Sequence, residues 1–176
     1  MGKGEGAGVD GDFLLIQRMR LGDEEAVEQF VRKHYPAILR YCRLRAGDAG
    51  YGEDLAQETF ERFFRALGQY RHSGKALNYL YVIAGNACRD FHRRRRECCV
   101  ESVEERAEPA SAPEDRLAIE AAFRALPQEL FEVAALYFLQ GRKQREIAQI
   151  LGVGAPLVKY RVRRAREILR RELGEA

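Results

Sequence analysis

The chain has 176 residues, a formal net charge of +3 at pH 7 and a hydrophobic content of 46%, which is typical of a soluble protein with one or two small domains. It contains no apolar run near the roughly 18–20 residues that cross a bilayer, and its Gly-rich polar beginning is unlike a signal peptide, so we predict a cytoplasmic protein. The four cysteines lack paired metal spacing. Free thiols are therefore favoured over a metal site made from His92, Cys98 and Cys99.

Helical periodicity dominates the first half of the chain after a Gly-rich stretch, residues 1–11, that we predict to be a disordered tail. Asp23 is a good N-cap for the longest of the predicted helices, since two acidic residues follow it in the first turn. The third predicted helix has an apolar side and an acidic outer side. Four helices are predicted in the first domain, residues 12–96, at about 12–20, 24–45, 51–68 and 76–96.

Residues 97–115 lose this periodicity and collect Glu, Pro, Ser and Ala, with seven acidic residues and one Arg among them. This composition predicts a flexible acidic linker. Two further helices, at about 116–126 and 128–140, precede residues 144–173, and we predict a second domain over residues 116–176.

The stretch 144–173 predicts a helix-turn-helix. Gly152 stands where the first helix needs a left-handed residue, and Pro156 is tolerated in the first turn of the second helix. An apolar stripe on the second helix faces the core, while its other sides are rich in Lys and Arg. Such a helix after a tight turn suits the DNA major groove; a solvated basic helix on an ordinary bundle is the alternative. The stripe comprises Val158, Val162, Ala165 and Leu169.

A second basic patch lies at the end of the fourth predicted helix, where Arg89, Arg93 and Arg96 share one face. Tyr70 and Tyr79 lie upstream, and aromatic rings beside cations suit the bases of an unpaired DNA strand. The alternative is that these tyrosines are core residues and that the arginines form a solvated helix end.

No catalytic motif is visible, because the sequence lacks a Gly-rich phosphate loop, an H-E-x-x-H pair and a G-x-S-x-G elbow. The adjacent acids Glu53 and Asp54 are best interpreted as the exposed start of a helix. We therefore predict that the protein is not an enzyme and needs neither a cofactor nor a metal.

The stretches HYPAILRYC, EDLAQETFERFFRAL and LNYLYVIAGNACRDFHRRRR, followed by LPQELFEVAALYFLQGRKQREIAQILGV and LVKYRVRRAREIL, resemble in order the conserved regions of bacterial RNA polymerase sigma factors of the extracytoplasmic-function (ECF) group. The resemblance covers residues 12–96 and 116–173. It implies an all-α fold of two small helical domains joined by a flexible acidic linker, the second containing the helix-turn-helix. It also implies an alternative sigma factor that directs promoter-specific transcription initiation.

The partners implied by the resemblance are core RNA polymerase, double-stranded and melted promoter DNA, and an anti-sigma factor. No small-molecule substrate and no membrane insertion are expected. The rival hypothesis is a stand-alone helix-turn-helix regulator whose N-terminal domain senses a ligand or dimerises. The acidic EDLAQETF stretch and the second basic helix argue against that rival.

The resemblance also assigns three sets of site residues. The implied core-polymerase surface comprises Asp54, Leu55, Gln57, Glu58 and Phe60. The implied reader of the upstream-ten promoter element comprises Tyr70, Arg71, His72, Tyr79, Asn86, Arg89, Asp90, Arg93 and Arg94. The implied reader of the upstream-thirty-five element comprises Pro156, Lys159, Tyr160, Arg161, Arg163 and Arg164. The family usually has a Trp where this chain has Tyr79, and a Ser and a Thr where it has Gly154 and Leu157.

Overall fold

A computed structural model describes residues 11–72, 75–98 and 114–174 of the chain. All regular structure in these ranges is helical, as predicted. The helices are α1 (Gly11–Arg20), α2 (Glu24–Ala46), α3 (Ala49–Ala66), α4 (Ala76–Cys98), α5 (Glu114–Arg124), α6 (Gln128–Ala134), α7 (Gln144–Leu151) and α8 (Ala155–Glu172). The chain divides into two compact units near Arg95. Helices α1–α4 build the first unit, and α5–α8 build the second.

The predicted boundaries shift by a few residues at both ends of the first unit. Helix α1 already begins at Gly11, and the rest of the predicted tail lies outside the described residues. Helix α4 continues to Cys98 and α5 begins at Glu114, so both ends of the predicted linker are helical. Residues 99–113 of that linker lie outside the described residues.

A buried polar cluster fastens α1 to α2. Asp12 is only 4% exposed, and its Oδ1 atom accepts hydrogen bonds from Lys33 Nζ at 2.7 Å and His34 Nε2 at 3.0 Å. Burial by itself would raise the pKa of Asp12, but the bonds from His34 and Lys33 and their charges outweigh it and lower the pKa to about 2. The ionised carboxylate is therefore the form that holds α1 in place.

Helix α2 supplies the central apolar stripe of the first unit. It begins after Asp23, whose side chain accepts a hydrogen bond from the Ala26 backbone N–H at 3.1 Å, as expected of an N-cap. The stripe passes through buried Phe30 and His34, whereas Tyr35 is only half-buried. Helix α3 approaches α2 so closely that a Cβ atom at Gly52 would lie 2.7 Å from an α2 Cα atom.

Aromatic contacts complete the core of the first unit. Phe30 of α2 stacks on Phe63 of α3 with ring centroids 4.9 Å apart, and Tyr41 of α2 meets Tyr81 of α4 edge-on at 5.5 Å. Together, the rings hold α3 and α4 against α2, so that the outward sides of both helices are presented to solvent.

The second unit contains the predicted helix-turn-helix. Helix α7 begins and ends at the predicted residues, and Gly152 after it has the left-handed φ of 65° that the turn requires. The predicted stripe on α8 is buried throughout, which fixes the direction of the helix's solvent-facing side. Fully burying one such Val or Leu stabilises a fold by about 1.5–3 kcal/mol. The buried residues are Val158, Val162, Ala165 and Leu169.

The predicted single helix over residues 128–140 is instead divided into two parts. After α6 comes a π-helical turn, Ala135–Leu139, in which the Gln140 backbone N–H donates to the Ala135 carbonyl at 3.1 Å, five residues back. Apolar periodicity does not reveal one extra residue in a turn, so the sequence could not predict this change.

Candidate functional site

A groove of about 430 Å³ runs along the exposed side of α8. Four residues predicted to bind DNA line it together: Pro156, Lys159, Tyr160 and Arg163. Gln144, the first residue of α7, and Arg166 complete the lining beside Val162. The prediction omitted Gln144 and Arg166. Arg166 could have been found, since it follows Arg163 by three residues on one helix face, whereas Gln144 is brought there only by the turn between the helices.

The charges in this groove differ in how far they are neutralised. Lys159 is exposed and has no ion pair within the part of the chain that the structure describes. The Arg163 guanidinium lies 5.8 Å from the Tyr160 ring centroid, and its Nε is 3.9 Å from a Glu167 carboxylate oxygen. A phosphate or a base edge can therefore meet Lys159 without displacing an acid from it.

Two arginines predicted to bind DNA do not line the groove. Arg161 pairs with Glu129 of α6 at 2.8 Å, and its side chain is only 17% exposed. Arg164 pairs with Glu167 at 2.6 Å. Both stay predicted DNA contacts, but their positions differ from those of the groove residues, because Arg161 is turned towards α6 and Arg164 lies outside the groove lining.

In the first unit, two of the predicted aromatic residues form a pair. Tyr70 and Tyr79 stack with centroids 5.0 Å apart, and Phe63 lies behind them at 5.5 and 6.2 Å. Both tyrosines are half-buried. They therefore combine the two alternatives left open by the sequence, because the core supports their rings while both residues stay partly exposed. The Tyr70 hydroxyl lies 3.2 Å from His72 Nδ1.

Helix α1 contacts the segment that carries Tyr70 and His72. Arg20 donates hydrogen bonds to the carbonyl of Leu67, at 3.2 Å, and to the carbonyl of Tyr70. Phe13 lies 6.0 Å from the His72 ring. Sequence reasoning did not connect α1 with this loop, since contacts between residues about fifty positions apart leave no periodic signal.

The outward side of α4 carries most of the remaining predicted promoter contacts. Asn86, Arg89, Arg93 and Arg94 are exposed, as is Arg71 in the loop before the helix. Asp90 is half-buried, accepts from Arg93 at 3.2 Å, and lies 3.5 Å from the guanidinium of Arg62 on α3. The Arg62 guanidinium also contacts Glu58 at 2.6 Å, so one arginine connects α3 with α4.

Only some of the residues predicted to bind polymerase on α3 are exposed. Asp54 and Gln57 are exposed and Glu58 is half-buried. Leu55 and Phe60 are 3% and 5% exposed, so they belong to the core and are corrected from contacts to supports. Among the described residues, Asp54 has no ion pair, in contrast to the neighbouring acids Glu53 and Glu61, which pair with Arg43 and Arg65.

The described residues contain no cluster of three or more His, Cys, Asp and Glu side chains placed to hold a metal ion. His92 directs its Nε2 atom to the Arg45 carbonyl at 2.7 Å, while the Cys98 side chain and Cys99 lie outside the described residues. A hydrogen bond with Cys88 and burial raise the pKa of the Cys42 thiol well above its usual range, so this thiol stays protonated. No helix in the described ranges combines the length and apolarity needed to cross a membrane.

Taken together, one helical unit with an accessible aromatic pair beside arginines, and a second with a helix-turn-helix groove, define a DNA-binding protein with two unlike modules. Residues 30–98 match the family Sigma-70 region 2, and residues 116–169 match Sigma-70 region 4. The chain belongs to the ECF RNA polymerase sigma factors, and it acts as an alternative sigma factor that binds core RNA polymerase and directs transcription initiation. The rival interpretation as a stand-alone regulator is not favoured.

Known relatives agree over nearly the whole chain. The ECF RNA polymerase sigma factor SigM of Mycobacterium tuberculosis strain H37Rv is 30% identical over 166 residues, covering 93% of this chain and 85% of the relative. RNA polymerase sigma factor CarQ of Myxococcus xanthus is 30% identical over 167 residues, covering 91% and 96%.

Solved structures share the fold. CnrH, in complex with the cytosolic domain of CnrY, superposes with a TM-score of 0.74 at 24% identity, covering 92% of this chain and 96% of that one. Sigma factor RpoE of Bartonella quintana, in complex with the anti-sigma factor NepR, superposes with a TM-score of 0.71 at 23% identity, covering 84% and 96%.

Proposed function

We propose that this sigma factor docks on core RNA polymerase through the acidic side of α3, opens the promoter with the Tyr70–Tyr79 pair and the arginines of α4, and reads the upstream-thirty-five element with the α8 groove. The observation that carries the proposal is the segregation of groups on these helices. Within the described residues, Asp54 on α3 and Lys159 on α8 have no ion pair, and the half-buried Tyr70–Tyr79 pair lies beside the exposed cations of α4.

The docking proposal rests on Asp54, Gln57 and Glu58. The Asp54 carboxylate has no ion pair with the described residues to break, so a cation of the polymerase gains its full charge-assisted bond, typically about 1.5–3 kcal/mol. Asp54→Asn therefore weakens core binding by about tenfold or more in a titration with labelled core polymerase. Glu28→Gln on α2 is the control, since that exposed acid lies outside the predicted docking set and is already paired with Arg32. Equal affinities for the two variants would remove Asp54 from the interface.

The opening proposal rests on the Tyr70–Tyr79 pair, with Arg71, His72, Asn86, Arg89, Asp90, Arg93 and Arg94 around it. Stacking of an unpaired base on an aromatic ring contributes about 1–3 kcal/mol. Tyr79→Ala in the holoenzyme should therefore reduce permanganate reactivity of melted thymines, whereas Tyr79→Phe keeps the ring and should preserve it. Promoter opening by the alanine variant at the wild-type level would refute the stacking role.

The reading proposal rests on Pro156, Lys159, Tyr160 and Arg163, which share the groove. Lys159→Ala should cost about 1–3 kcal/mol at particular promoter positions, measured as transcription from a library of single-base promoter variants. Arg171→Ala is the control, because this arginine is paired with Glu172 outside the groove. A loss spread evenly over all promoter variants would make Lys159 a phosphate contact instead of a base contact.

The proposal also covers where the protein functions, whether it catalyses a reaction and how it is regulated. The protein functions in the cytoplasm, has no catalytic activity of its own, and is held inactive by an anti-sigma protein. The support is the likeness to RpoE and CnrH, which were solved with NepR and with the cytosolic domain of CnrY. Affinity purification from the native cell should yield such a partner in place of polymerase. Recovery of core polymerase alone under all growth conditions would refute this regulation.

A further inference from the structure

The π-helical turn before α7 places an aromatic ring at the surface of the second unit. Within this turn Leu136 is fully buried, but Phe138 is 38% exposed. A π turn holds one residue more than an α-turn, so it rotates the following side chains by about 100° relative to a continuous α-helix. Such turns are often associated with functional sites.

The Phe138 ring lies against a cation of α8. The Arg166 guanidinium carbon lies 5.8 Å from the Phe138 ring centroid, within the range of a cation–π interaction. Arg166 is exposed, lines the α8 groove, and has no ion pair within the described ranges. Like Lys159, Arg166 therefore carries a charge that no described acid neutralises. Arg161, Arg163 and Arg164, in contrast, all lie near an acid.

Arg166 lies further along α8 than the residues proposed to read bases. It follows Lys159 by seven residues, so at 1.5 Å per residue it is about 10 Å further along the helix axis on nearly the same side. A recognition helix contacts base edges mainly through its N-terminal residues. Its later turns lie nearer the sugar–phosphate backbone, where a fixed guanidinium is a strong phosphate ligand.

We propose that Arg166 is a phosphate contact flanking the upstream-thirty-five element, and that Phe138 is the positioning residue that holds its guanidinium in the groove. This inference rests on the proposed reading of duplex DNA by α8. Phe138 does not touch DNA in this scheme; it acts by limiting the directions that the long arginine side chain adopts. The π turn is the structural reason that a ring is available at this position.

The test measures the salt dependence of holoenzyme binding to a labelled promoter duplex. The logarithm of the binding constant falls with the logarithm of salt concentration by about 0.9 for each neutralised phosphate. Arg166→Ala should therefore lower the slope by about one and weaken binding about equally on single-base promoter variants. Arg166→Lys should keep the slope, because it keeps the charge. Arg171→Ala, whose cation is already paired with Glu172 outside the groove, should leave the slope unchanged.

Phe138→Leu tests the positioning role, because leucine preserves apolar bulk without an aromatic face. We expect a two- to fivefold loss of affinity at low salt, and no further loss when Phe138→Leu is added to Arg166→Ala. Additive losses in the double variant would overturn the positioning role. An unchanged slope in Arg166→Ala would overturn the phosphate contact. Lys159→Ala, measured in parallel, separates this inference from the reading proposal. If Lys159→Ala changes base preference while Arg166→Ala has no effect, only the inference about Arg166 fails. If neither variant has an effect, the proposal that α8 reads the upstream-thirty-five element fails.

Discussion

The carboxylate of Asp12 offers the sharpest test of how α1 is held. Asp12→Asn retains an oxygen acceptor for Lys33 and His34 but removes the charge at a position that is 4% exposed. The variant should unfold more easily at neutral pH. It should also weaken promoter opening, because α1 supports the Tyr70 loop through Arg20.

The magnitude follows from the pKa of Asp12. The pKa is about 2 in the folded protein against an ordinary value of 3.8, and a tenfold difference in proton affinity corresponds to about 1.4 kcal/mol. The ionised carboxylate thus stabilises the fold by roughly 2 kcal/mol. Because the unfolded chain binds the proton more readily, this stabilisation is complete above about pH 4, falls to about half by pH 3, and disappears as the pH falls below about 2.

The assay is urea unfolding followed by circular dichroism at several pH values between 7 and 3. The stability difference between wild type and Asp12→Asn should be about 2 kcal/mol at pH 7 and should shrink below pH 4. Glu28→Gln is the control, since its exposed pair with Arg32 contributes about 0.5 kcal/mol at most. A difference that stays constant down to pH 3, or that matches the control, would refute the reasoning.

Three further predictions concern close packing, a left-handed turn and an ion pair. Gly52→Ala should destabilise the first unit by about 1–3 kcal/mol, because its Cβ would lie 2.7 Å from an α2 backbone atom, whereas Gly68→Ala has open space and should change the melting temperature little. Gly152→Ala should cost about 1 kcal/mol or more, since its φ of 65° strains an L-residue; a variant as stable as wild type would mean that the turn adapts. Arg161→Ala should lose the Glu129 pair, about 1 kcal/mol or less by urea unfolding, without the promoter-specific defect expected of a groove residue.

Most of the fold could be predicted because helical periodicity reports burial directly. The stripe from Val158 to Leu169 and the Gly152 turn needed only local rules. The π turn at Ala135–Leu139 could not be predicted, because one extra residue in a buried apolar run leaves the pattern of residue types unchanged. The link between Asp12 and α2 was also missed, since an acid near a predicted tail gives no sign of burial.

The candidate sites could be predicted as segments more easily than as side chains. Sequence reasoning selected the α3 stretch, but Leu55 and Phe60 turned out to be buried there. On α8 it selected arginines by charge, and Arg161 turned out to face Glu129. Charge and motif identify a functional helix, whereas the helical register and the positions of neighbouring acids decide which of its side chains are available. That second kind of information comes only from three-dimensional contacts.

The bridge formed by Arg62 has a consequence for cooperativity. This guanidinium lies between Glu58 on α3 and Asp90 on α4, at 2.6 and 3.5 Å. A partner that engages Glu58 competes with Arg62 for it, and the arginine released from Glu58 interacts more strongly with Asp90, which then holds Arg93 less tightly. We therefore expect occupancy of α3 to change the affinity of α4 for DNA by up to about 1 kcal/mol. Because such coupling is reciprocal, promoter DNA should change the affinity of the protein for core polymerase by the same factor.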